Sequence, residues 1–165
     1  MNRNVPFNFY LLYFLKGWKS LVFHKDPIFL TFFITARCNA DCQHCFYWRR
    51  IRKIQDELTM EEIEKISASI PLFPKLLLSG GEPFLREDID EICRIFYFNN
   101  KVRQITIPTN GILNDPIYIK MCNIIKFCKN AHIQIQISID AIGESHDKIR
   151  QVNRAFERVM QTYFS

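Results

Sequence analysis

Four short apolar runs recur along this 165-residue chain, and one helical segment separates each run from the next. The runs predict strands at residues 28–35, 75–79, 102–107 and 132–139. Consecutive strands that are joined through a helix must pair in parallel, because a tight turn can join only antiparallel neighbours. The sequence therefore predicts a single α/β domain built from four successive βα units.

Two of the predicted helices begin with clear capping signals. Thr59 and Glu62 form a capping-box pair ahead of the first one. An Asn-Asp-Pro sequence opens another at 114–128, where proline suits the first turn. Further helices are expected at 86–98 and 153–165.

The fourth predicted strand alternates strictly between apolar and polar residues. The two sets are Ile133, Ile135, Ile137 and Ile139 against Gln134, Gln136, Ser138 and Asp140. A sheet covered by helices on both sides would be apolar on both faces. A polar face instead predicts a curved sheet whose concave side lines a cavity, as in a partial (β/α) TIM-like barrel, with ligands bound at the C-terminal ends of the strands.

Residues 1–25 are predicted to form an amphipathic helical segment that precedes the domain. Its apolar stretch, 7–23, is interrupted by Lys16, Gly17 and Lys19 and is shorter than a bilayer span requires. Packing against the core or a partner is therefore favoured over lying flat on a membrane. The segment has no small-residue cleavage site of a signal peptide, so we expect a cytoplasmic protein whose thiols stay reduced.

The charge pattern gives little indication of a polyanionic partner. Lysine and arginine exceed aspartate and glutamate by 22 to 17, a net charge of +5, and the basic residues are scattered. The one basic run, within residues 49–53, is typical of a solvated face. We expect no nucleic-acid partner.

Three of the six cysteines lie within eight residues, directly after the first predicted strand. Cys38, Cys42 and Cys45 could wrap one inorganic centre; three thiolates on a four-iron cluster would leave one iron free for an outside ligand. The alternative is a structural zinc site completed by His44 or His24. The other three cysteines, Cys93, Cys122 and Cys128, fall in predicted helices and are interpreted as core residues.

The motifs at the strand ends resemble those of the radical S-adenosylmethionine (radical SAM) superfamily. The motifs are C-x-x-x-C-x-x-C after the first strand, Gly80-Gly81-Glu82-Pro83 after the second, Thr109-Asn110-Gly111 after the third and Ser138-Ile139-Asp140 after the fourth. The resemblance covers residues 28 to about 164. Within the superfamily the pattern is most similar to the branch of SPASM/twitch-type maturases, including peptide- and sulfatase-maturing enzymes, and the molybdenum-cofactor cyclase.

The resemblance implies a core of six βα units, of which this chain carries about four. Residues 26–165 would then be a truncated radical SAM core, which is expected to be a fragment, a truncated gene product or a chain completed by another subunit. The unpaired edge of the fourth strand agrees with this expectation, since folded proteins normally cover such edges.

The resemblance also implies a role for individual residues. Cys38, Cys42 and Cys45 would ligate three irons of a [4Fe–4S] cluster, whose fourth iron chelates the methionine part of S-adenosylmethionine. The residues expected to contact that cofactor are His44, Gly80, Gly81, Glu82, Asn110, Ser138, Asp140 and Arg150. Glu82 is expected near the methionine ammonium group, and Arg150 near the carboxylate, although Arg150 could equally be an exposed arginine at a helix start.

The activity implied is reductive cleavage of S-adenosylmethionine to methionine and a 5′-deoxyadenosyl radical, which would abstract hydrogen from a peptide or small-molecule substrate. An external flavodoxin or ferredoxin would supply the electron, since no flavin motif is visible. Two alternatives stay open. One is a non-catalytic fragment that binds the cluster or cofactor, and the other is the zinc module.

Overall fold

The computed structural model describes residues 27–45 and 56–165, together with Leu11 and Leu15, which are both helical. The rest of the predicted segment 1–25, the basic run at 49–53 and His24 lie outside the described residues. The elements in chain order are β1 (Phe29–Thr35), α1 (Met60–Ser69), β2 (Lys75–Gly80), a 3-10 turn (Pro83–Leu85), α2 (Ile89–Asn99), β3 (Gln104–Thr109), α3 (Asn114–Phe127), β4 (His132–Ile137), α4 (Glu144–Arg150) and α5 (Ala155–Phe164). None of the helices in these ranges is long and apolar enough to span a membrane.

The four strands of the described chain form one parallel sheet in the order β1-β2-β3-β4. The register places Phe29 beside Lys75, Lys75 beside Gln104, and Gln104 beside His132. Because the strands start nearly level and run the same way, their C-terminal ends meet at one edge of the sheet. The predicted α/β class and the four βα units of a partial TIM-like barrel are confirmed.

Some of the predicted boundaries were wrong. β4 ends at Ile137 and does not reach Ile139, which is 47% exposed. The Ser138 N–H still donates to the Thr109 carbonyl at 3.0 Å, but β3 ends at Thr109 and offers no partner beyond it. The predicted helix 86–98 begins only at Ile89 and ends at Asn99, because Arg86, directly after the 3-10 turn, has extended backbone angles.

One face of the sheet packs against helices to form the main core. Alternate residues of β2 and β3 point into it, and so do the inward faces of α1 and α2. Its fully buried members include Ile63, Leu76, Leu78, Ile92, Phe96, Ile105 and Ile107. The opposite face is more polar along β3 and β4, where Gln134 and Gln136 are exposed while Ile133 and Ile135 pack against the core. The alternation predicted for β4 up to residue 137 is confirmed.

The three cysteines in and near helices differ in burial. Cys93 and Cys128 are fully buried, as predicted, and burial raises the pKa of the Cys128 thiol to about 12. The core assignment of Cys122 was wrong, because its side chain is exposed. Helix α3 turns Ile117 and Ile124 inward at a spacing of seven residues, and Cys122 lies outside that stripe.

Asn100 joins helix α1 to the turn after helix α2. Its side-chain amide donates to the carbonyls of Ser67 and Ile70 at 3.0 and 2.8 Å, and its oxygen accepts from the Ser67 hydroxyl at 2.6 Å. Its own carbonyl accepts from the Phe73 N–H at 3.1 Å. Asn100 is 1% exposed, so water does not reach its hydrogen-bonding groups, and their partners within the protein satisfy them.

We predict that Asn100→Ala lowers the free energy of unfolding of the metal-free chain by roughly 1–3 kcal/mol, because buried polar partners lose their hydrogen bonds. Urea unfolding followed by circular dichroism measures the change. Asn99→Ala is the matched control: Asn99 is exposed on the same helix, and its replacement should change stability by less than about 0.5 kcal/mol. Equal effects of the two variants would show that Asn100 does not brace the fold.

Candidate functional site

All three clustered cysteines lie around one cavity at the C-terminal edge of the sheet. The cavity has a volume of about 230 Å³. Every strand contributes to its wall, either from its end or from the loop that follows. The lining residues are Cys38, Cys42, His44, Cys45, Ser79, Gly80, Gly81, Pro108, Thr109, Asn110, Ser138 and Arg150. The structure therefore brings together most of the site residues predicted from the sequence.

The paired glycines after β2 allow the cysteine loop to approach the sheet. A Cβ added at Gly80 would lie 2.1 Å from the Thr35 carbonyl oxygen, and one at Gly81 would lie 2.1 Å from the Arg37 carbonyl oxygen and 3.0 Å from Cys38 Cβ. Gly80 also has φ +141°, which other residues rarely adopt. Both positions therefore require glycine because of the neighbouring strand and loop, before any ligand is considered.

Backbone hydrogen bonds hold the cysteine loop on two sides. On the β2 side, the Gly81 and Glu82 N–H groups donate to the carbonyls of Thr35 and Arg37 at 3.0 and 2.8 Å. On the other side, Asp41 N–H donates to the Arg150 carbonyl at 3.1 Å. The Gln43 N–H donates to the carbonyl of Ile149, near the C-terminal end of α4, at 2.9 Å. The loop is thus fixed between the second and the last βα units.

The carboxylate of Glu82 is buried behind residues that line the cavity, and Glu82 itself is not part of the lining. It is 1% exposed and accepts from the Thr109 hydroxyl at 2.8 Å, the Asn110 N–H at 2.7 Å and the Phe84 N–H at 3.2 Å. Burial raises the pKa of the Glu82 carboxyl, although these hydrogen bonds favour the ionised form. In the structure this carboxylate ties the end of β2 to the end of β3, and its expected contact with a ligand ammonium group stays a prediction.

Asn110 connects the end of β3 to the cysteine loop. Its side-chain amide donates to Asn39 Oδ1 at 2.7 Å, and its own oxygen accepts from the Ile112 N–H at 3.0 Å. Asn39 lies between the first two cysteines and was not singled out in the sequence. An asparagine directly after a candidate metal-ligating cysteine is a weak signal of a site residue, since asparagine is also common in turns.

Arg150 is 7% exposed and lies at the C-terminal end of α4, so the alternative of an exposed arginine at a helix start was wrong. Its Nη1 donates to Cys42 Sγ at 3.4 Å and its Nη2 to the Ser138 carbonyl at 3.3 Å. Its Nε lies 2.7 Å from Asp140 Oδ2, an ion pair whose angle falls outside that of a hydrogen bond. The guanidinium thus forms part of the cavity wall beside a cysteine sulfur.

Two histidines flank Asp140 in different environments. His44 is half exposed, with Nε2 3.8 Å from Asp140 Oδ1, and both residues line a shallow depression next to the main cavity. His146 is fully buried, and its Nδ1 accepts the Asp140 N–H at 3.3 Å. Burial lowers the pKa of His146, which keeps the imidazole neutral and able to accept this bond. His146 has no motif around it that would have identified it from the sequence.

A second polar anchor outside the cavity holds the start of the cysteine loop. The Glu57 carboxylate accepts from Arg37 Nε at 2.8 Å and Nη2 at 3.1 Å, and it also accepts a hydrogen bond from the Thr35 hydroxyl. Burial opposes ionisation of Glu57, but the hydrogen bonds from Arg37 and Thr35 outweigh it and lower the pKa of this carboxyl. Glu57 was not predicted, because a carboxylate twenty residues from its partner has no sequence signal.

Three cysteine thiols around one cavity are a donor set that suits a multi-iron cluster. Within residues 27–45 and 56–165, no three histidine, cysteine, aspartate or glutamate side chains lie close enough to hold one metal ion, as zinc with its sulfur bonds of about 2.3 Å requires. Yet Cys38, Cys42 and Cys45 share one cavity, and burial together with the charges of Glu82 and the other two thiols raises the pKa of Cys38. Three soft ligands around a small cavity fit an iron–sulfur cluster that keeps one corner open.

Comparison with known proteins gives consistent matches. The profile of the Radical SAM superfamily matches residues 32–163. The chain is 32% identical over 145 residues to Fe-coproporphyrin III synthase of Methanosarcina barkeri, and this alignment covers 86% of the chain and 34% of that protein. It is 33% identical over 138 residues to AdoMet-dependent heme synthase of the same organism, with 81% and 37% covered. It is also 31% identical over 145 residues to GTP 3′,8-cyclase of Aliarcobacter butzleri, with 84% and 42% covered.

We predict that Glu82→Ala lowers the free energy of unfolding of the metal-free chain by about 3 kcal/mol, because three buried donors lose their acceptor. Urea unfolding in the presence of a chelator measures the loss. Glu61→Ala, at an exposed position on α1, should change stability by less than about 0.5 kcal/mol. Unchanged stability of Glu82→Ala would contradict its role in joining β2 to β3.

Proposed function

From the premise that this chain belongs to the Radical SAM superfamily, we propose that Cys38, Cys42 and Cys45 hold a [4Fe–4S] cluster and that the adjoining cavity binds S-adenosylmethionine for reductive cleavage. The superfamily uses this cluster and this cofactor, and its members related to this chain are enzymes. The observation that carries the proposal is the single cavity that three cysteines share with the ends of all four strands. When bound, the cluster supplies the electron for cleavage.

The described residues around the cavity have different roles in binding the cofactor. Gly80 and Gly81 keep one wall free of side chains, so a ligand can approach the backbone there. From the β4 side, Ser138 and Arg150 line the cavity with hydroxyl and guanidinium groups, which suit the carboxylate and ribose of S-adenosylmethionine. Asn110 lines the cavity at the end of β3. Asp140 holds the guanidinium in place and therefore contributes to binding through Arg150.

His44 has a more exposed place, at the border between the cavity and the neighbouring depression. Its imidazole can pack against the adenine ring there, while its contact with Asp140 limits the directions in which the ring can turn. Glu82 supports the site from behind by fixing Thr109 and Asn110, so its role is to position the cavity wall.

The chain spans about a third of the length of the curated relatives it matches. Radical SAM enzymes need an electron donor and a substrate, and for this protein we assign a flavodoxin or ferredoxin as donor. The relatives are named for making coproporphyrin, heme and cyclised GTP products, so a small-molecule substrate in cofactor maturation is favoured over a peptide. We further assign residues 26–165 to the core domain and the protein to the cytoplasm, where the six free thiols stay reduced.

We predict that Cys42→Ala abolishes release of 5′-deoxyadenosine from S-adenosylmethionine, because two thiolates cannot hold the cluster in its cleaving geometry. The chain is reconstituted with iron and sulfide without oxygen and reduced with dithionite, and the product is measured by chromatography. Cys122→Ala is the matched control, since Cys122 is an exposed cysteine on α3, and it should release as much product as the wild type.

The other outcomes separate the alternatives. A brown wild-type chain that releases no 5′-deoxyadenosine would identify a non-catalytic fragment that holds a cluster. A colourless chain that binds zinc through its thiolates would identify a structural zinc module. Cleavage that persists in Cys42→Ala would contradict the assignment of the cluster ligands.

A further inference from the structure

We propose that Arg150 is a positioning residue that raises the reduction potential of the cluster by donating a hydrogen bond to the sulfur of Cys42. The inference rests on the proposed function, because it requires Cys42 to be a cluster ligand. It gives Arg150 a role toward the metal centre before S-adenosylmethionine binds. This role differs from neutralising the carboxylate of that cofactor.

Arg150 holds the cysteine loop through both its backbone and its side chain. Its carbonyl accepts the Asp41 N–H at 3.1 Å, and its Nη1 donates to Sγ of the next residue, Cys42, at 3.4 Å. Two contacts to consecutive residues fix the direction of the guanidinium relative to this sulfur. The sulfur itself is shielded from water, since Cys42 is 7% exposed.

The other nitrogens of the guanidinium are also fixed. Nη2 donates to the Ser138 carbonyl at 3.3 Å, and Nε lies 2.7 Å from Asp140 Oδ2. Asp140 is held in turn, because its N–H donates to the buried His146. This chain of contacts keeps the guanidinium against Cys42 and prevents it from turning into the solvent.

The direction of the effect follows from the charge that reduction adds. Hydrogen bonds to the cluster sulfurs and nearby charges help to set the potential of iron–sulfur centres. A cation that donates to a ligand sulfur stabilises the more negative, reduced cluster, and in a buried site this effect is weakly screened. The negative charge of the Asp140 carboxylate, next to the guanidinium, opposes this stabilisation of the reduced cluster. Loss of Arg150 should therefore lower the potential, whereas loss of the charge of Asp140 should raise it.

The redox step transfers one electron and needs no covalent change in the protein. The cluster gains one electron and passes from the 2+ to the 1+ state, and the reductant, dithionite in the experiment, is oxidised. Arg150 takes no part in proton transfer and acts only through its positive charge and its hydrogen bond to the sulfur.

The test is a redox titration of the full chain, reconstituted without oxygen, in which the signal of the reduced cluster is followed by electron paramagnetic resonance. At the midpoint potential of the wild type, Arg150→Gln should show a ratio of reduced to oxidised cluster about tenfold lower, a shift of 59 mV for one electron. Arg150→Lys, which keeps the charge and loses the planar donor, should give a smaller decrease. Asp140→Asn should increase the ratio.

Arg158→Gln is the matched control, because Arg158 is an exposed arginine on α5 that does not line the cavity, and the midpoint potential of this variant should equal that of the wild type. Iron and sulfide content shows whether each variant holds a complete cluster. If Arg150→Gln fails to assemble one, the opposite shifts of Arg150→Lys and Asp140→Asn decide the question.

The titration is repeated with S-adenosylmethionine to separate the two roles of Arg150. Shifts already present without the cofactor support the inference. Shifts seen only with the cofactor would overturn it, because Arg150 would then act on the carboxylate alone. Equal midpoints in all the variants would overturn it as well, and the proposed function would still stand if the wild-type signal responds to S-adenosylmethionine. A wild type without any cluster would refute both.

Discussion

The close contact between the end of β2 and the loop after β1 is the constraint on which the site depends. Gly80 and Gly81 lie so near the carbonyls of Thr35 and Arg37 that even a methyl group has no room. This proximity lets the backbone of one strand end hydrogen-bond the start of the cysteine loop. The first thiol, Cys38, is thereby placed at the edge of the sheet, and the remaining strand ends complete the wall.

The parallel sheet collects the residues of the site because all its strands end on the same side. Polar side chains then join neighbouring ends in pairs that are mostly buried. Glu82 links β2 to β3, Asn110 links β3 to the cysteine loop, and Arg150 links that loop to the end of β4. Each link satisfies groups that burial would otherwise leave without partners, so the same contacts stabilise the fold and shape the cavity.

The sequence alone predicted the strands, the cavity edge and the three cysteines, because these follow from apolar periodicity and from close motif spacing. It could not give the direction of individual side chains. Glu82 belongs to a motif, but the partners that hold its carboxylate, Thr109 and Asn110, lie 27 and 28 residues further on. The exposure of Cys122 depends on which stripe of α3 faces the core, and two inward isoleucines decide it.

The contact between Arg150 and Cys42 joins residues that are 108 positions apart in the chain. A ribosome makes the thiols long before it makes the arginine, so the nascent loop lacks one of its two supports until α4 has docked. Iron and sulfide that arrived earlier would meet three cysteines whose loop is held only on the β2 side. For the proposed cluster, the order of synthesis therefore favours late loading, after nearly the whole described chain has folded.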